Sequence, residues 1–444
     1  MRSGRRQRGV VMVIALAILV GLVALVASVV ASQQIAIRAE ENRINARQAR
    51  VAADAGVQRA MASLVDTIQE QAQAGAATTT TAGTTVAGQA QTQTDEWYTL
   101  GDKGAERFGV GNATFRMEIV DAGSFVNLNK AAMANLTTAT PDTDLLRLPL
   151  SQEQVDAILD WVDQNAASTR TDGARDDYYN ALSKPYNAKL RRFDSVDELL
   201  SVRYFTAADL YETSQTGTSG VTLPTLEDGR EATLSDLLTT DSYVNQLRPD
   251  GQSLVNVRTN PNGLQAANVS PQTTTLIQQA VGRNANITLG EVLALVTNDA
   301  DRTAILDNVT TEQGTRVEGK INLNTASEAV LMTLPNMTQE LAQGIVAYQS
   351  TGFTKLSDIL QVSGFSNANN LRSFAGYFTV RSSVFLVRVV GESNGSTVAI
   401  EAVVDTSSGT PRITKMHDLP FSDMPTRWGW SAEPTSDTVL VEAQ

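Results

Sequence analysis

The pattern of apolar and polar positions changes character along the chain. Val10 to Ile37 is an uncharged run with almost no polar side chain before Ser28. Behind it the chain turns charged at Arg38, Glu40, Glu41 and Arg43, yet keeps helical character to about Glu70. This predicts one long helix, membrane-embedded at its start and soluble at its end. Gln71 to Thr94 is rich in Ala, Thr, Gln and Gly, includes the run Thr78 to Thr81, and has no apolar periodicity. It reads as a flexible linker. Ala113 to Val120 then alternates as a half-buried strand, with Gly109 to Asn112 as its turn. Tyr377 to Val390 and Thr397 to Val404 repeat that alternation around Asn394-Gly395, a hairpin signal, and Arg412 to Met416 adds a further strand. Between these β segments lies a long region that reads as helical.

That region repeats itself. Val126-Asn-Leu-Asn-Lys-Ala131 recurs as Ile321-Asn-Leu-Asn-Thr-Ala326. Each copy continues through a Leu-Pro pair, Leu148-Pro149 or Leu334-Pro335. An amphipathic helix follows, Gln152 to Asp163 or Gln339 to Gln349, and each copy ends in a Phe-initiated helix, Phe193 to Leu200 or Phe353 to Leu360. A Ser or Asp near the start of each Phe-initiated helix can accept from exposed N–H groups. A weaker third copy begins at Val255-Asn-Val-Arg-Thr259 and ends at Leu289 to Leu293.

The length of the apolar run decides how it meets a membrane. Val10 to Ala31 is about 22 residues, roughly 33 Å of helix, enough to cross a hydrocarbon core of roughly 30 Å. It is longer than the apolar core of most secretory signals. Arg2, Arg5, Arg6 and Arg8 precede it, which places the leader in the cytoplasm and the remainder outside.

Composition narrows the chemistry. The formal charge is −13, and the chain without its four leader arginines stands at about −17. An acidic chain is a poor partner for duplex DNA, whose phosphates need clustered Lys and Arg. There is no Cys, hence no disulfide framework. The single His417 excludes a multi-histidine metal site and leaves little for Ser-His catalysis. Paired acids could do glycoside chemistry, but an acidic loop is commoner than an active site, and an enzyme is not expected.

The N-terminus resembles the class III signal of type IV pilins and type II secretion pseudopilins. The resemblance implies cleavage by prepilin peptidase after Gly9 and N-methylation of the new N-terminus, Val10. Most family members carry a Glu five residues into the mature chain; here that place is Ile14. The large minor pseudopilin family, protein K of type II secretion, typically lacks it. The same family is resembled further on by Val126-Asn-Leu-Asn129, Asp160-Trp161-Val-Asp163, Asp172-Gly173-Ala174-Arg175-Asp176-Asp177-Tyr178-Tyr179, Phe193 to Leu200, Ile321-Asn-Leu-Asn324 and Val380-Arg-Ser-Ser383. The fold it implies is α+β: a long N-terminal transmembrane helix and a pilin-like α/β domain interrupted by a large α-helical insert. The insert's repeats resemble helix-hairpin-helix units, but their hairpins lack the Gly-x-Gly that presents N–H groups to phosphate. The expected organisation is a leader at 1–9, the helix at 10–70 with its membrane part at 10–31, and the linker at 71–94. The pilin-like domain follows in two pieces, 95–125 and 366–420, around an insert at 126–365, with a tail at 421–444.

Asp160 and Asp163 lie three apart on one helix, and the following loop adds Asp172, Asp176 and Asp177. Five carboxylates this close repel unless solvated or bridged by a cation, and a Ca²⁺ site takes roughly six to eight oxygens. Their spacing does not fit an EF-hand. The family binds calcium in this domain, so the resemblance implies Ca²⁺ here. Arg175, where the family often has an acid, could replace the cation by pairing with Asp172 or Asp177. The function implied is a minor pseudopilin at the tip of the periplasmic pseudopilus, which drives folded proteins across the outer membrane. Its partners would be the pseudopilus and other minor pseudopilins in a heterotrimeric tip complex, with prepilin peptidase and the inner membrane. The alternatives are a tip minor pilin of a type IV pilus and a helix-hairpin-helix DNA-uptake protein.

Overall fold

The computed structural model describes residues 4–76, 90, 92–137, 145, 148–165, 170–212, 225–226, 229–419, 424–431 and 433–439. The apolar run and the charged stretch behind it form one helix, α1, Gly4–Ala76. At 1.5 Å per residue it is about 110 Å long. It runs past the expected end at Glu70 because Gln71 to Ala76 is mostly Gln and Ala, good helix formers. The expected linker at 71–94 is therefore shorter at its start, and its Thr78 to Thr81 run lies outside the described residues. Its far end is a turn, in which Asp95 accepts from the Thr92 N–H and hydroxyl, each at 3.1 Å.

The apolar start of α1 is bare, with Leu16, Leu22 and Leu25 all more than 60% exposed. It is the one helix among the described residues long and apolar enough to cross a membrane. The later part buries a stripe of small residues, Ala49, Ala53, Gly56 and Ala60, at helical spacing. That stripe lies on a six-stranded sheet. Its strands are β1 Glu106–Val110, β2 Ala113–Asp121, β3 Val384–Ser393, β4 Ser396–Asp405, β5 Arg412–Leu419 and β6 Ser436–Val439. Their order is β5-β4-β3-β2-β1-β6, antiparallel except for β6, which runs parallel to β1. The sheet face beneath α1 carries Phe115, Met117, Val387, Val389, Ile400 and Ala402, all buried.

The hairpin expected at Asn394-Gly395 joins β3 to β4, with φ of 44° and 80° at its two residues. The turn expected over Gly109–Asn112 is narrower. Gly109 and Val110 belong to β1, and only Gly111 and Asn112 turn, Gly111 at φ 58°. The single strand expected over Tyr377–Val390 is two. Phe378–Thr379 pairs elsewhere, and the Thr379 hydroxyl oxygen accepts from the Arg381 N–H to turn the chain before β3 starts at Val384.

The chain leaves the sheet at Asp121 and re-enters at Val384, and Phe385 sits directly opposite Asp121 on the neighbouring strand. β2 and β3 are thus the two arms of a hairpin whose turn has been replaced by the helical region. Insertion there is compatible with the fold because the ends are already adjacent. Buried Asp121 ties the junction together. It accepts from the Gly123 N–H at 2.6 Å, Asn322 Nδ2 at 2.7 Å and the Thr325 hydroxyl at 2.7 Å.

The insert runs further than expected. The helix Ala368–Phe374 and the Phe378–Thr379 strand belong to its core, so the second piece of the sheet begins near 384 rather than 366. The segment expected as a tail also joins the sheet. β6 is its last strand, and Trp430 and Met424 cover Val390 and Ala399 on the face opposite α1. Trp430 Nε1 donates to Glu118 at 2.9 Å, Arg116 lies over Trp430 and Arg388 over Trp428.

Within the insert each repeat opens and closes on a two-residue parallel strand pair. These are Val126–Asn127 with Leu238–Thr239, Val255–Asn256 with Val309–Thr310, and Ile321–Asn322 with Phe378–Thr379. The repeated second Asn explains the repeat. Asn129 donates to the Phe193 carbonyl at 3.0 Å and accepts from its N–H at 2.7 Å; Asn324 does the same with Phe353 at 2.9 and 2.7 Å. In the middle repeat Arg258 reaches the Ile287 and Asn286 carbonyls instead. Each Phe is thereby held extended, so the two Phe-initiated helices start later and are only short 3₁₀ segments, Val196–Ser201 and Leu356–Gln361. Their exposed N–H groups are met from inside, Asp194 by Glu198 and Thr354 and Lys355 by Asp358. The regular helices are α2 Leu128–Thr137 and α3 Gln152–Val162 in the first repeat, and α4 Glu328–Met332 and α5 Gln339–Gln349 in the last.

Candidate functional site

The helix carrying Asp160 and Asp163 is set by its ends. Ser151 accepts from the Gln154 N–H at 3.2 Å while Gln154 accepts from the Ser151 N–H at 3.0 Å, a reciprocal cap that fixes the start of α3. The last turns of α3, Ala157 to Val162, are buried on every side, Asp160 included. A carboxylate near a helix C-terminus opposes the helix dipole, and burial adds to the cost. Burial accordingly pushes the Asp160 pKa up, against the hydrogen bonds and charge of Arg170 and the charge of Arg175.

Two guanidiniums close this site. Arg170 Nη1 donates to Asp160 Oδ1 at 2.7 Å and lies 3.5 Å from Asp163 Oδ2, and the Arg170 N–H donates to Asp160 Oδ2 at 3.3 Å. Arg175 Nη2 stands 3.9 Å from both carboxylates, while its Nη1 donates to the Asp163 carbonyl at 2.7 Å. Gly173 is required here, because a Cβ on it would fall 1.8 Å from Asp160 Oδ2.

The other three acids go elsewhere. The Asp172 N–H donates to Asp156 at 3.4 Å, Asp176 accepts from the Ala188 N–H at 2.7 Å, and Asp177 is exposed. Arg175 therefore pairs with Asp160 and Asp163, not with Asp172 or Asp177. Arg170 is the residue that sequence reasoning missed; its place ten residues after Asp160 was the available signal. Among the described residues no three His, Cys, Asp or Glu side chains converge to hold a metal. Asp160 and Asp163, the two central carboxylates of the set expected to hold calcium, both stand within ion-pair distance of Arg170 and Arg175.

The remaining landmark residues form the packing beside this acid pair. Trp161 meets Tyr179 edge-on at 5.2 Å, Tyr179 stacks on Tyr186 at 5.2 Å, and Trp161 Nε1 donates to Glu198 at 2.8 Å. Burial pushes the Tyr179 hydroxyl up to about 12. The loop thus acts as a folded knot that joins α3 to the first 3₁₀ segment.

Gly9 and Val10 lie within the helical backbone of α1, and their side chains lie outside the described residues. Ile14, farther along, is 54% exposed.

Residues 129–214 match the family model for type II secretion system protein K, and residues 317–379 match that of the helix-hairpin-helix motif. A 51-residue stretch is 47% identical to endonuclease/exonuclease/phosphatase family domain-containing protein 1 of Xenopus laevis, over 11% of this chain and 9% of that protein. The structure is similar to a chain in the GspK-GspI-GspJ complex of the enterotoxigenic Escherichia coli type 2 secretion system. That likeness has a TM-score of 0.48 at 12% identity and covers 87% of this chain and 99% of the other. The protein K match thus falls on residues 129–214, the stretch that holds the Asp160 knot.

Proposed function

We propose that this protein is a minor pseudopilin of a type II secretion system, held in the inner membrane by α1 with its sheet and insert in the periplasm. The observation that carries the reading is the protein K match at residues 129–214, on a chain whose bare apolar helix leads into a sheet-packed one. The arginine-rich leader, Gly9 and the apolar run beginning at Val10 support processing by prepilin peptidase after Gly9 and methylation of Val10. The work is mechanical: α1 packs with other pseudopilin helices, and the head caps the fibre. Its partners are two other minor pseudopilins. Replacing Gly9 with Leu should leave the leader attached, keep the chain out of fibres and stop export of folded cargo; N-terminal mass analysis reads the cleavage. A wild-type chain that still begins before Val10 in cells with active peptidase would sink the processing step.

The helix-hairpin-helix match favours a second reading, a DNA-binding uptake receptor. Its hairpin, Leu334-Pro335-Asn336-Met337, turns on Asn336 at φ 60° without a glycine, and the chain is acidic. Gel retardation by the full chain at two salt concentrations tests it, and no salt-dependent shift is expected.

A further inference from the structure

The three repeats of the insert meet around a cavity of about 410 Å³ that the secretion reading does not use. Lys130 comes to it from the first repeat, Leu289 and Gly290 from the middle one, and Lys320, Leu334 and Arg372 from the last. Two close backbone approaches build it. A Cβ on Gly290 would fall 2.3 Å from the Arg372 carbonyl oxygen. Gly319, at φ 72°, leaves room for the Lys130 stem, whose Cγ would lie 2.7 Å from a Cβ there.

The charge in this cavity is unbalanced. The Lys320 ammonium is largely buried; it donates to the Gly376 carbonyl and has its carboxylate partner, Glu312, only at 4.0 Å. Burial pushes the Lys320 pKa down; Glu312 opposes that shift and Lys130 adds to it. Lys130 has no carboxylate partner among the described residues. Glu318, the other acid on the wall, is taken by Arg192 at 2.7 Å. The buried Arg372 Nε has no acceptor. Three cations with spare donors thus face one loosely held carboxylate, on a chain whose formal charge is −13. The rest of the wall includes the aliphatic side chains of Val317, Leu289 and Leu334.

We propose that this cavity binds a peptide carboxylate carried beside aliphatic side chains, with Lys130 and Lys320 as its cationic ligands. An anion between two ammoniums removes their repulsion and gives Lys320 a carboxylate closer than Glu312 at 4.0 Å. The acidity of the whole molecule disfavours a polyanion such as duplex DNA, while a single carboxylate beside apolar groups suits both halves of the wall.

The test uses the full chain in detergent micelles and calorimetric titration. The probes are N-acetyl-leucyl-leucine as the free acid, its C-terminal amide, inorganic phosphate and a short DNA duplex. The free acid should bind saturably, and the amide about tenfold more weakly or worse, a loss of roughly 1.4 kcal/mol. Lys320→Met and Lys130→Gln should each weaken the free acid by a similar factor. Lys130 is exposed, so Lys130→Gln keeps its thermal midpoint and decides the matter if Lys320→Met fails to fold. No saturable binding of the free acid, or equal binding of acid and amide, overturns the proposal. Tighter, Lys130-dependent binding of phosphate or duplex overturns it in favour of a phosphate site.

Discussion

Asp160 shows how single residues set this structure. Its carboxylate is fully buried at the unfavourable end of α3, and its charge is carried by Arg170 and, more distantly, Arg175. Arg170→Ala leaves that charge without its hydrogen-bonded partner, and breaking a buried pair in this way costs about 3 kcal/mol. The loss should appear as a lower denaturant midpoint with an unchanged slope. Since two arginines already neutralise Asp160 and Asp163, chelator and millimolar calcium should give the same thermal midpoint in the wild-type protein; a calcium-dependent rise would mean that a cation displaces Arg170. Asp301 supplies a pH dependence. Burial pushes its pKa up, but hydrogen bonds from Ser270, Thr273 and Asn298 outweigh burial and hold it at about 2, below the ordinary 3.8. A depressed carboxylate stabilises the fold fully above the ordinary value and loses that contribution as pH falls towards 2. The contribution is about 2 kcal/mol. Between pH 4 and 2 Asp301→Asn should flatten the wild-type fall in stability, measured by urea unfolding across that range; parallel curves would refute this role for Asp301.

At the scale of elements, α1 and the sheet meet through missing side chains. A Cβ on Gly391 would stand 2.0 Å from the Ala49 carbonyl oxygen and 2.7 Å from the Ala53 N. Both are helix backbone and cannot swing aside, so Gly391→Ala must lift α1 from β3. Overpacking of this kind costs about 1–3 kcal/mol. The variant should be cut sooner by protease within the later part of α1, while Gly282→Ala, whose Cβ meets nothing within 4 Å, should be cut as the wild type is. Elements of this kind were legible in the sequence where periodicity was long. α1, β2 and the β3–β4 hairpin follow from runs of several residues with one consistent face. The Asn repeats were legible as words, although their meaning, a side chain clasping the Phe backbone, needs the fold. The closing strand Leu238–Thr239 left no trace, because two residues cannot alternate, and Phe378–Thr379 was legible only as the start of a longer strand with which it does not pair. β6 is four residues long and pairs with β1, more than three hundred residues earlier in the chain, so its place rests on long-range packing rather than on local pattern. The acid cluster was legible as charge but not as geometry: the loop sets the Asp172 N–H on Asp156, sends the Asp176 carboxylate to the Ala188 N–H and brings in Arg170.

For the whole molecule, the proposed role turns on where the insert stands. It springs from the Asp121–Phe385 end of the β2–β3 pair, and its core is larger than that of the sheet that carries it. A fibre built on α1 packs the helices of successive subunits closely. Heads of this bulk, repeated along such a fibre, would collide with the copies above and below. At the distal end the head meets no copy above it. Ile14 agrees with that position. In most type IV pilins and pseudopilins, which the N-terminus resembles, this place holds a Glu that pairs with the N-terminal amine of the subunit ahead, and a leading subunit has no such amine to meet. A carboxylate with no partner is costly in lipid, and an isoleucine is not. The expectation is therefore one copy per fibre, at the distal end, bound through α1 and the sheet to two other minor pseudopilins. Gold label on the insert should mark a single end of each isolated fibre. The full chain extracted with its two partners should run as a 1:1:1 complex. Label at regular intervals along the fibre would refute the tip position while leaving the subunit a pseudopilin.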